Sequence, residues 1–272
     1  MKSKLVEALS LESEPVAILW KDEKPEGARG FSRGKWGCVM WLLAAATKGE
    51  VAAASPDTYG CWGGGVGLGF GNQYPRFPGG IGCFERFLSI GNETWETGRK
   101  VAREIAPHVS SHFLEDFLKG EGYKKTPELV ADFLSEMPFF QVPTRYVVLK
   151  PLSKVDIGEE EPKVVVIVAR PHQLSALVIL ANYRRKGFEN VIIPYAAACQ
   201  TMGIFPYREA NSPNPRAVVG LTDISARLYL SGKLPQDSFT FSVPWSMFRE
   251  MESDIEGSLL EKRTWRRLLG ST

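Results

Sequence analysis

The chain has 272 residues, of which 44% are hydrophobic and 24% charged, and its formal net charge at pH 7 is +2. This length and apolar content suffice for a sizeable core, as one large domain or two smaller ones. The nearly balanced charge excludes the basic footprint of a nucleic-acid-binding protein. No apolar run reaches the roughly 18–20 residues that a membrane helix needs, and the first residues lack the apolar core of a signal peptide. We therefore expect a cytoplasmic protein with no nucleic-acid or membrane partner.

Short periodic segments open the chain. Residues 2–11 predict an amphipathic helix, and the apolar run Pro15–Trp20 predicts a buried strand. After a charged loop, the Ala- and Leu-rich segment from Cys38 to Gly49 predicts a buried helix. Cys38 would lie at the N-terminus of that helix, where amide donors and the helix dipole favour a thiolate. Residues 50–55 predict a second strand.

A glycine-rich stretch follows, from Gly60 to Cys83. Ten of its 24 residues are glycine, and Cys61 and Cys83 lie near its two ends. Glycine adopts left-handed backbone conformations and lets the backbone approach a neighbour or a ligand closely. Because ordering such a flexible stretch is costly in entropy, we expect a loop that a bound cofactor or the facing half of the protein holds in place.

The rest of the chain predicts a helical segment and then a second α/β region. Residues 95–137 have helical signals, among them the N-cap Thr126 followed by Pro127. Further strands are predicted at 145–150, 163–169, 189–194 and 238–243, and further helices at 172–186 and along the apolar stripe of Phe248, Met251, Ile255 and Leu259.

An internal repeat organises these segments. The same offset of 138 residues separates Lys48-Gly49 from Lys186-Gly187 and Cys61 from Cys199, and later glycines keep it. We therefore predict an α/β fold of two half-domains related by a pseudo-twofold, with a helical insertion between them. The predicted boundaries are 1–94 for the first half with its Gly/Cys-rich loop, 95–140 for the insertion, and 141–272 for the second half with its C-terminal helix.

The repeat predicts where the cysteines meet. Equivalent positions in a pseudo-symmetric pair often approach each other near the axis, which would bring Cys61 and Cys199 together. Cys38 and Cys83 align with Ala176 and Leu221, which are not cysteines. The predicted site is therefore asymmetric, with three cysteines from the first half and one from the second.

Several short motifs carry a resemblance to a known family. They are Pro15-Val-Ala, Cys38 with its Ala-rich helix, Cys61 with its glycine stretch, Pro171-x-Gln173, Cys199, and Gly220 leading to Arg227. On these residues the chain resembles the archaeal and bacterial family called domain of unknown function 169, over nearly its whole length. The resemblance implies a further cysteine after the glycine that matches Gly220, where this chain has Leu221. It implies no activity.

The first hypothesis is a cysteine-ligated cofactor bound by Cys38, Cys61, Cys83 and Cys199. Four thiolates suit a [4Fe-4S] cluster, and backbone amides of the glycine-rich stretch would tune its potential. A zinc site of four thiolates is chemically allowed, but no C-x-x-C pair is present. The competing interpretation is that the four cysteines are small hydrophobic core residues.

The second hypothesis is a small-molecule or anion-binding protein, or a thiol-dependent enzyme, that uses the Gly60–Gly82 loop. Consecutive backbone amides form anion nests, and Arg86, Asp223 and Arg227 are candidates to contact the ligand, although a structural role as ion pairs is favoured for them. Cys38 is the candidate nucleophile.

A third hypothesis is an assembly protein without catalysis of its own. Trp36, Trp41 and Trp62 near the glycine-rich stretch would then form an interface, although a core role is favoured for them. A redox or maturation partner protein and a homo-oligomer are the partners that these hypotheses call for.

Two histidines provide one more candidate metal site. His108 and His112 are four residues apart, with Glu115 one turn on, which is metal-ligand geometry if the segment is a helix. This spacing is common, so an exposed helix face is the favoured interpretation.

Overall fold

The computed structural model describes residues 1–270. It divides into two compact units, one formed by Met1–Gly71 together with the chain from Phe140 onward, and the other by Asn72–Phe139. The first unit is built on a seven-stranded sheet with helices, which confirms the predicted α/β class. Among the described residues, no helix is both long enough and apolar enough to span a membrane.

The seven strands of this sheet lie in the first unit, in the order β2-β3-β1-β4-β7-β6-β5. Every pairing is antiparallel except that of β5 with β6. The strands are β1 Val16–Lys21, β2 Ala52–Ala54, β3 Tyr146–Pro151, β4 Val164–Ala169, β5 Val191–Ile192, β6 Ala217–Gly220 and β7 Phe239–Pro244.

Burial explains why the central strands were predictable. All six residues of β4 are buried, as the unbroken apolar run from Val164 predicts for a strand covered on both faces. The strand predicted at 189–194 shortens to Val191–Ile192 at the edge of the sheet. The prediction omitted β6, which is only four residues long and includes the poor strand former Gly220.

The helices are α1 Lys4–Ala8, α2 Met40–Ala46, α3 Trp62–Leu68, α4 Gly80–Phe87, α5 Glu96–Ile105, α6 Ser111–Lys119, α7 Pro127–Ser135, α8 Pro171–Asn182, α9 Ala198–Met202, α10 Ile204–Ala210, α11 Ile224–Tyr229, α12 Trp245–Ser253 and α13 Arg263–Leu268. The second unit contains α4 to α7, so the helical segment predicted from residue 95 lies inside a unit that begins at Asn72. The predicted C-terminal stripe is divided, because α12 ends at Ser253, before Ile255 and Leu259.

The two faces of the sheet have different helices. Phe241 and Val243 of β7 pack into a core with residues of α1, α8, α12 and α13. Thr240 alternates with them and points to the other face, where its hydroxyl and that of Thr201 in α9 lie beside Gly220. Trp20 of β1 likewise packs edge-on against Tyr207 of α10, with ring centroids 5.1 Å apart. Helices α9 and α10 therefore cover the face opposite the α8 core.

The strand order bears on the predicted pseudo-twofold. β1 and β4 pair antiparallel at the centre, and each has an antiparallel neighbour on its outer side, β3 and β7. The edges differ, because β2 pairs antiparallel with β3 whereas β5 pairs parallel with β6. The symmetry of the halves thus stays a prediction, consistent with the inner four strands and not with the edges.

The prediction of a loop across the glycine-rich stretch was wrong near the beginning of the stretch. Residues Trp62–Leu68 form helix α3, although four of its seven residues are glycine. Close packing outweighs the low helix propensity of glycine here. A Cβ on Gly67 would lie 2.5 Å from the carbonyl carbon of Cys199, and one on Gly203 would lie 1.9 Å from the Gly67 oxygen. Only glycine lets α3 and α9 approach this closely.

This contact predicts the effect of replacing Gly67 with alanine. Alanine favours a helix by about 1 kcal/mol over glycine, but its methyl group would overlap the α9 backbone, a clash that typically costs about 1–3 kcal/mol or more. We expect Gly67→Ala to lower the free energy of unfolding in urea titrations. Gly82→Ala is the matched control in α4, because its nearest contact would be an ordinary 3.4 Å from the Trp95 ring. Equal stability of the two variants would contradict the close packing.

Candidate cysteine site

Three of the four cysteines lie in the first unit, each at or near the beginning of a helix. Cys38 lies two residues before α2, Cys61 directly precedes α3, and Cys199 is in the first turn of α9. Cys38 and Cys199 are buried, and Cys61 is partly exposed as a residue. The fold therefore brings together in one unit three thiols that are far apart in sequence.

Cys61 holds the position that serine or threonine usually takes at a helix start. Its backbone is extended, and its Sγ accepts a hydrogen bond from the Gly64 amide at 3.2 Å. Side-chain acceptors at this position satisfy amides that have no partner within the helix. A thiolate at Cys61 would receive the same bond with added strength, because the acceptor would be charged.

Cys199, in α9, contacts the same helix. Its thiol donates to the Gly63 carbonyl oxygen at 3.1 Å, and its backbone packs on Gly67. Sequence symmetry predicted that Cys61 and Cys199 approach each other. The two residues lie at the contact of α3 with α9, and the charge of Cys61 is the first electrostatic cause of the raised pKa of Cys199.

Burial and mutual repulsion keep these thiols protonated. Burial raises the pKa of Cys38 to about 12, with Cys61 and Asp223 adding to the rise. Burial also raises the pKa of Cys61. The pKa of Cys199 lies well above its usual value, first because of burial and then because of the charges of Cys61 and Asp223. In the protein without a bound cation, Cys38 is therefore a thiol and not the predicted thiolate. The helix-start amides of Met40 and Trp41 lower its pKa, but burial raises it by more.

Asp223 is the acidic neighbour that the three thiols share. It immediately precedes α11, and its Oδ1 accepts from the Ala198 amide at 2.9 Å. Burial raises the pKa of this carboxyl group, and the charge of Arg227 acts in the opposite direction. Sequence reasoning named Asp223 only as a candidate ligand contact. The sequence did place Asp223 shortly after β6 and at the start of a helix, and this position could have indicated that it belongs to the cysteine site.

The backbone before Asp223 is unusual. Leu221 is 2% exposed and has a φ of 62°, in the left-handed region that side chains other than glycine rarely adopt. Such conformations persist where the surroundings fix them, often beside functional groups. Leu221 is also the position where the family resemblance implies a cysteine.

The cation nearest to this acidic group in sequence has other partners as well. Arg227 donates from Nη1 to the carbonyl oxygen of Gln236 at 2.6 Å, and its guanidinium lies 5.0 Å from the centre of the Phe239 ring. Arg227 thus binds a backbone carbonyl oxygen and lies against an aromatic ring, and its charge also lowers the pKa of Asp223. Its predicted role in an ion pair stays a prediction.

Cys83 lies in the second unit, within α4. Its residue is fully buried, and a Cβ on Gly79 would come within 2.3 Å of its Sγ. Burial raises the pKa of the Cys83 thiol, while the charge of Arg86 lowers it. Arg86 in turn lies over the Trp95 ring, 5.0 Å from its centre. Ligation by Cys83 stays a prediction.

The histidines do not form the site that their spacing allowed. His108 follows the end of α5, whereas His112 lies in α6, so one helix does not carry both. His112 Nε2 is 3.5 Å from Asp116, and Glu115 pairs with Lys119 at 2.7 Å. Across residues 1–270, no three His, Cys, Asp or Glu side chains are grouped so that they could hold a metal ion.

Two of the three tryptophans near the glycine-rich stretch, Trp36 and Trp41, form an aromatic group with Tyr229 in the first unit. The Trp41 indole donates to the Tyr229 carbonyl oxygen at 2.8 Å, and Trp36 packs edge-on against both Trp41 and Tyr229. Trp36 remains 47% exposed. The favoured core role thus holds for Trp41 more than for Trp36.

The raised pKa values predict how stability changes with pH. The thiols stay protonated in the folded protein above the pH of about 8.5–9 at which they ionise when unfolded, so high pH favours unfolding. For Cys38, whose pKa burial raises to about 12, this should lower the free energy of unfolding by about 1.4 kcal/mol per pH unit above about pH 9, and Cys61 and Cys199 should add to the loss in the same direction. Urea titrations of reduced, metal-free protein from pH 8 to 10.5 should therefore show a steeper loss for the wild type than for a Cys38→Ser, Cys61→Ser, Cys199→Ser triple variant. Parallel pH profiles would contradict the burial of these thiols.

Comparison with known proteins gives a family and no function. No curated protein and no solved structure matches the chain. The model of one family, described as an uncharacterised ArCR, matches residues 4–254, which is most of the sequence. This chain therefore belongs to the family named domain of unknown function 169.

Proposed function

We propose that the protein binds an iron–sulfur cluster, of the [4Fe-4S] type, through the thiolates of Cys38, Cys61 and Cys199. Its role would be electron transfer or the maturation of a cofactor, with a redox or maturation partner protein. The finding that carries the proposal is that Cys38, Cys61, Cys199 and Asp223 interact within one unit, where the charges of Cys61 and Asp223 raise the pKa of both Cys38 and Cys199.

When buried acidic groups of this kind ionise, a nearby positive charge is needed to stabilise them. Burying an ionised group without a partner is costly, and proteins resolve the cost by protonation, by pairing or by metal binding. Without a cation, Cys38, Cys61 and Cys199 stay protonated. A bound metal centre would release their protons and hold the thiolates, which links its affinity to pH.

The type of metal centre follows from the ligands. Thiolates are soft ligands that favour iron–sulfur clusters, zinc or copper(I). A single zinc ion needs its ligands gathered around one point, and the described residues contain no such group. In a cluster each thiolate binds a different iron atom, so its ligands lie further apart. This favours a cluster over a mononuclear site.

The surrounding backbone suits the same cofactor. The Gly64 amide already donates to Cys61 Sγ, and hydrogen bonds to cluster thiolates tune the reduction potential. A cluster bound there would supply one-electron transfer. Cys83 is the predicted fourth ligand, and the Asp223 carboxyl group is the other candidate because it interacts with all three thiols.

The thiol-dependent enzyme is the weaker alternative. A nucleophilic cysteine needs a lowered pKa or an adjacent base, whereas all three thiols here have raised pKa values. The anion-binding loop is weaker as well, because α3 occupies residues 62–68 of the Gly60–Gly82 stretch and its amides from Gly65 on are engaged within the helix.

Anaerobic purification tests the proposal. We expect brown protein with absorbance near about 400 nm and roughly four irons and four sulfides per chain. Cys38→Ser, Cys61→Ser and Cys199→Ser should each lose most of the iron. Iron-free, colourless wild-type protein after anaerobic reconstitution would overturn the proposal.

Two further variants identify the fourth ligand. Cys83→Ser should lower the iron content if Cys83 is a ligand and leave it unchanged if it is not. Asp223→Asn keeps the size of the side chain and removes its charge, so it should change the electron paramagnetic resonance spectrum of the reduced cluster if the carboxylate binds iron. A melting curve for each variant separates loss of the cluster from loss of the fold.

A further inference from the structure

A cavity of about 170 Å³ lies in the first unit, away from the cysteines. The end of β4, the end of α2 and the segment before β7 form its walls. The volume exceeds the roughly 150 Å³ of an engineered protein cavity that holds benzene. Val168, Ala169 and Arg170 place this cavity at the carboxyl end of β4. The cavity therefore has room for a small organic molecule.

The charges around the cavity do not balance. Arg170 pairs with two carboxylates, since its Nε lies 3.0 Å from Glu12 and its Nη1 2.6 Å from Asp237, so this group carries one excess negative charge. Lys48 and Lys233 also line the cavity, and neither forms an ion pair with any described residue, although the Lys233 ammonium lies over the Trp41 ring, 5.4 Å from its centre. The two lysines leave a net charge of +1 beside the cavity.

The remaining walls are fixed before any ligand binds. The Gln173 side chain accepts from the Arg170 amide at 2.8 Å and donates to the Ser10 carbonyl oxygen at 2.9 Å. The Thr47 hydroxyl donates to the Ala44 carbonyl oxygen at 2.9 Å. Apolar side chains, among them Val168 and Leu234, complete the lining. An apolar wall with a few well-held polar groups is typical of small-molecule sites.

We propose that this cavity binds a small organic dianion, a dicarboxylate or a phosphate ester, and that Lys48 and Lys233 bind its charged groups. The lysine ammonium is a point charge that binds carboxylate or phosphate without the fixed geometry of arginine. The proposal does not depend on the cysteines. Helix α2 nevertheless connects the two sites, because Cys38 precedes its first turn and Thr47 and Lys48 follow its last.

Isothermal titration calorimetry of the full chain tests the proposal, with succinate as the dicarboxylate and glycerol phosphate as the ester. We expect saturable binding of at least one probe, and the tighter one identifies the anionic group. A Lys48→Gln, Lys233→Gln double variant should weaken binding by about tenfold or more, since each tenfold corresponds to the loss of one good charge contact. The matched control is Lys100→Gln with Lys125→Gln, which removes the same charge from exposed residues outside the cavity lining.

A second variant should change the anion affinity in the opposite direction. Glu12→Gln removes the negative charge from the cavity wall and leaves Arg170 paired with Asp237, so it should tighten anion binding. This variant keeps the test decisive if the double lysine variant fails to fold. The proposal is overturned if neither probe binds saturably, if the control variant loses as much affinity as the cavity variant, or if Glu12→Gln weakens binding.

Discussion

The approach of α3 and α9 is the contact on which the candidate site depends. Gly67 packs on the backbone of Cys199, and Gly203 packs on the Gly67 carbonyl oxygen. No side chain separates the two helices at these points, so Cys61 and Cys199 are held at one helix–helix contact. A residue with a Cβ at either glycine would push the helices apart and move the two thiols with them. The glycines that allow this close approach also give α3 a low helix propensity.

The site also shows how burial determines chemical state. Helix-start amides lower the pKa of a thiol, and Cys38 and Cys61 both receive such bonds. Burial and the shared carboxyl group of Asp223 outweigh them. Hydrogen bonds from these amides to a neutral thiol are weak. The same bonds would stabilise the thiolates of Cys38 and Cys61 if a cation were bound at the site. This dependence is what the proposed metal centre requires, whereas the activated cysteine of an enzyme requires a lowered pKa.

Much of the fold follows from the sequence, because its strands are strong local signals. The unbroken apolar run of β4 and the Ala-rich run of α2 have patterns that few other structures accommodate. Helix α3 could not be predicted in this way, since glycine disfavours helices and only the contact with α9 makes this one stable. Asp223 was hard to assign for a similar reason. Its importance comes from three thiols that lie far from it along the chain, and one sequence does not show which distant residues meet.

The central pairing of β1 with β4 bears on the redox centre proposed above. It joins the two ends of the sheet into one continuous hydrogen-bonded structure, in which Val16 lies opposite Val166. Helix α9, which contains Cys199, packs on β6 and β7 of that sheet, and α3, which follows Cys61, packs on α9. A scaffold that resists deformation changes little when an electron arrives or leaves, so the reorganisation energy of a redox centre mounted on it would be small.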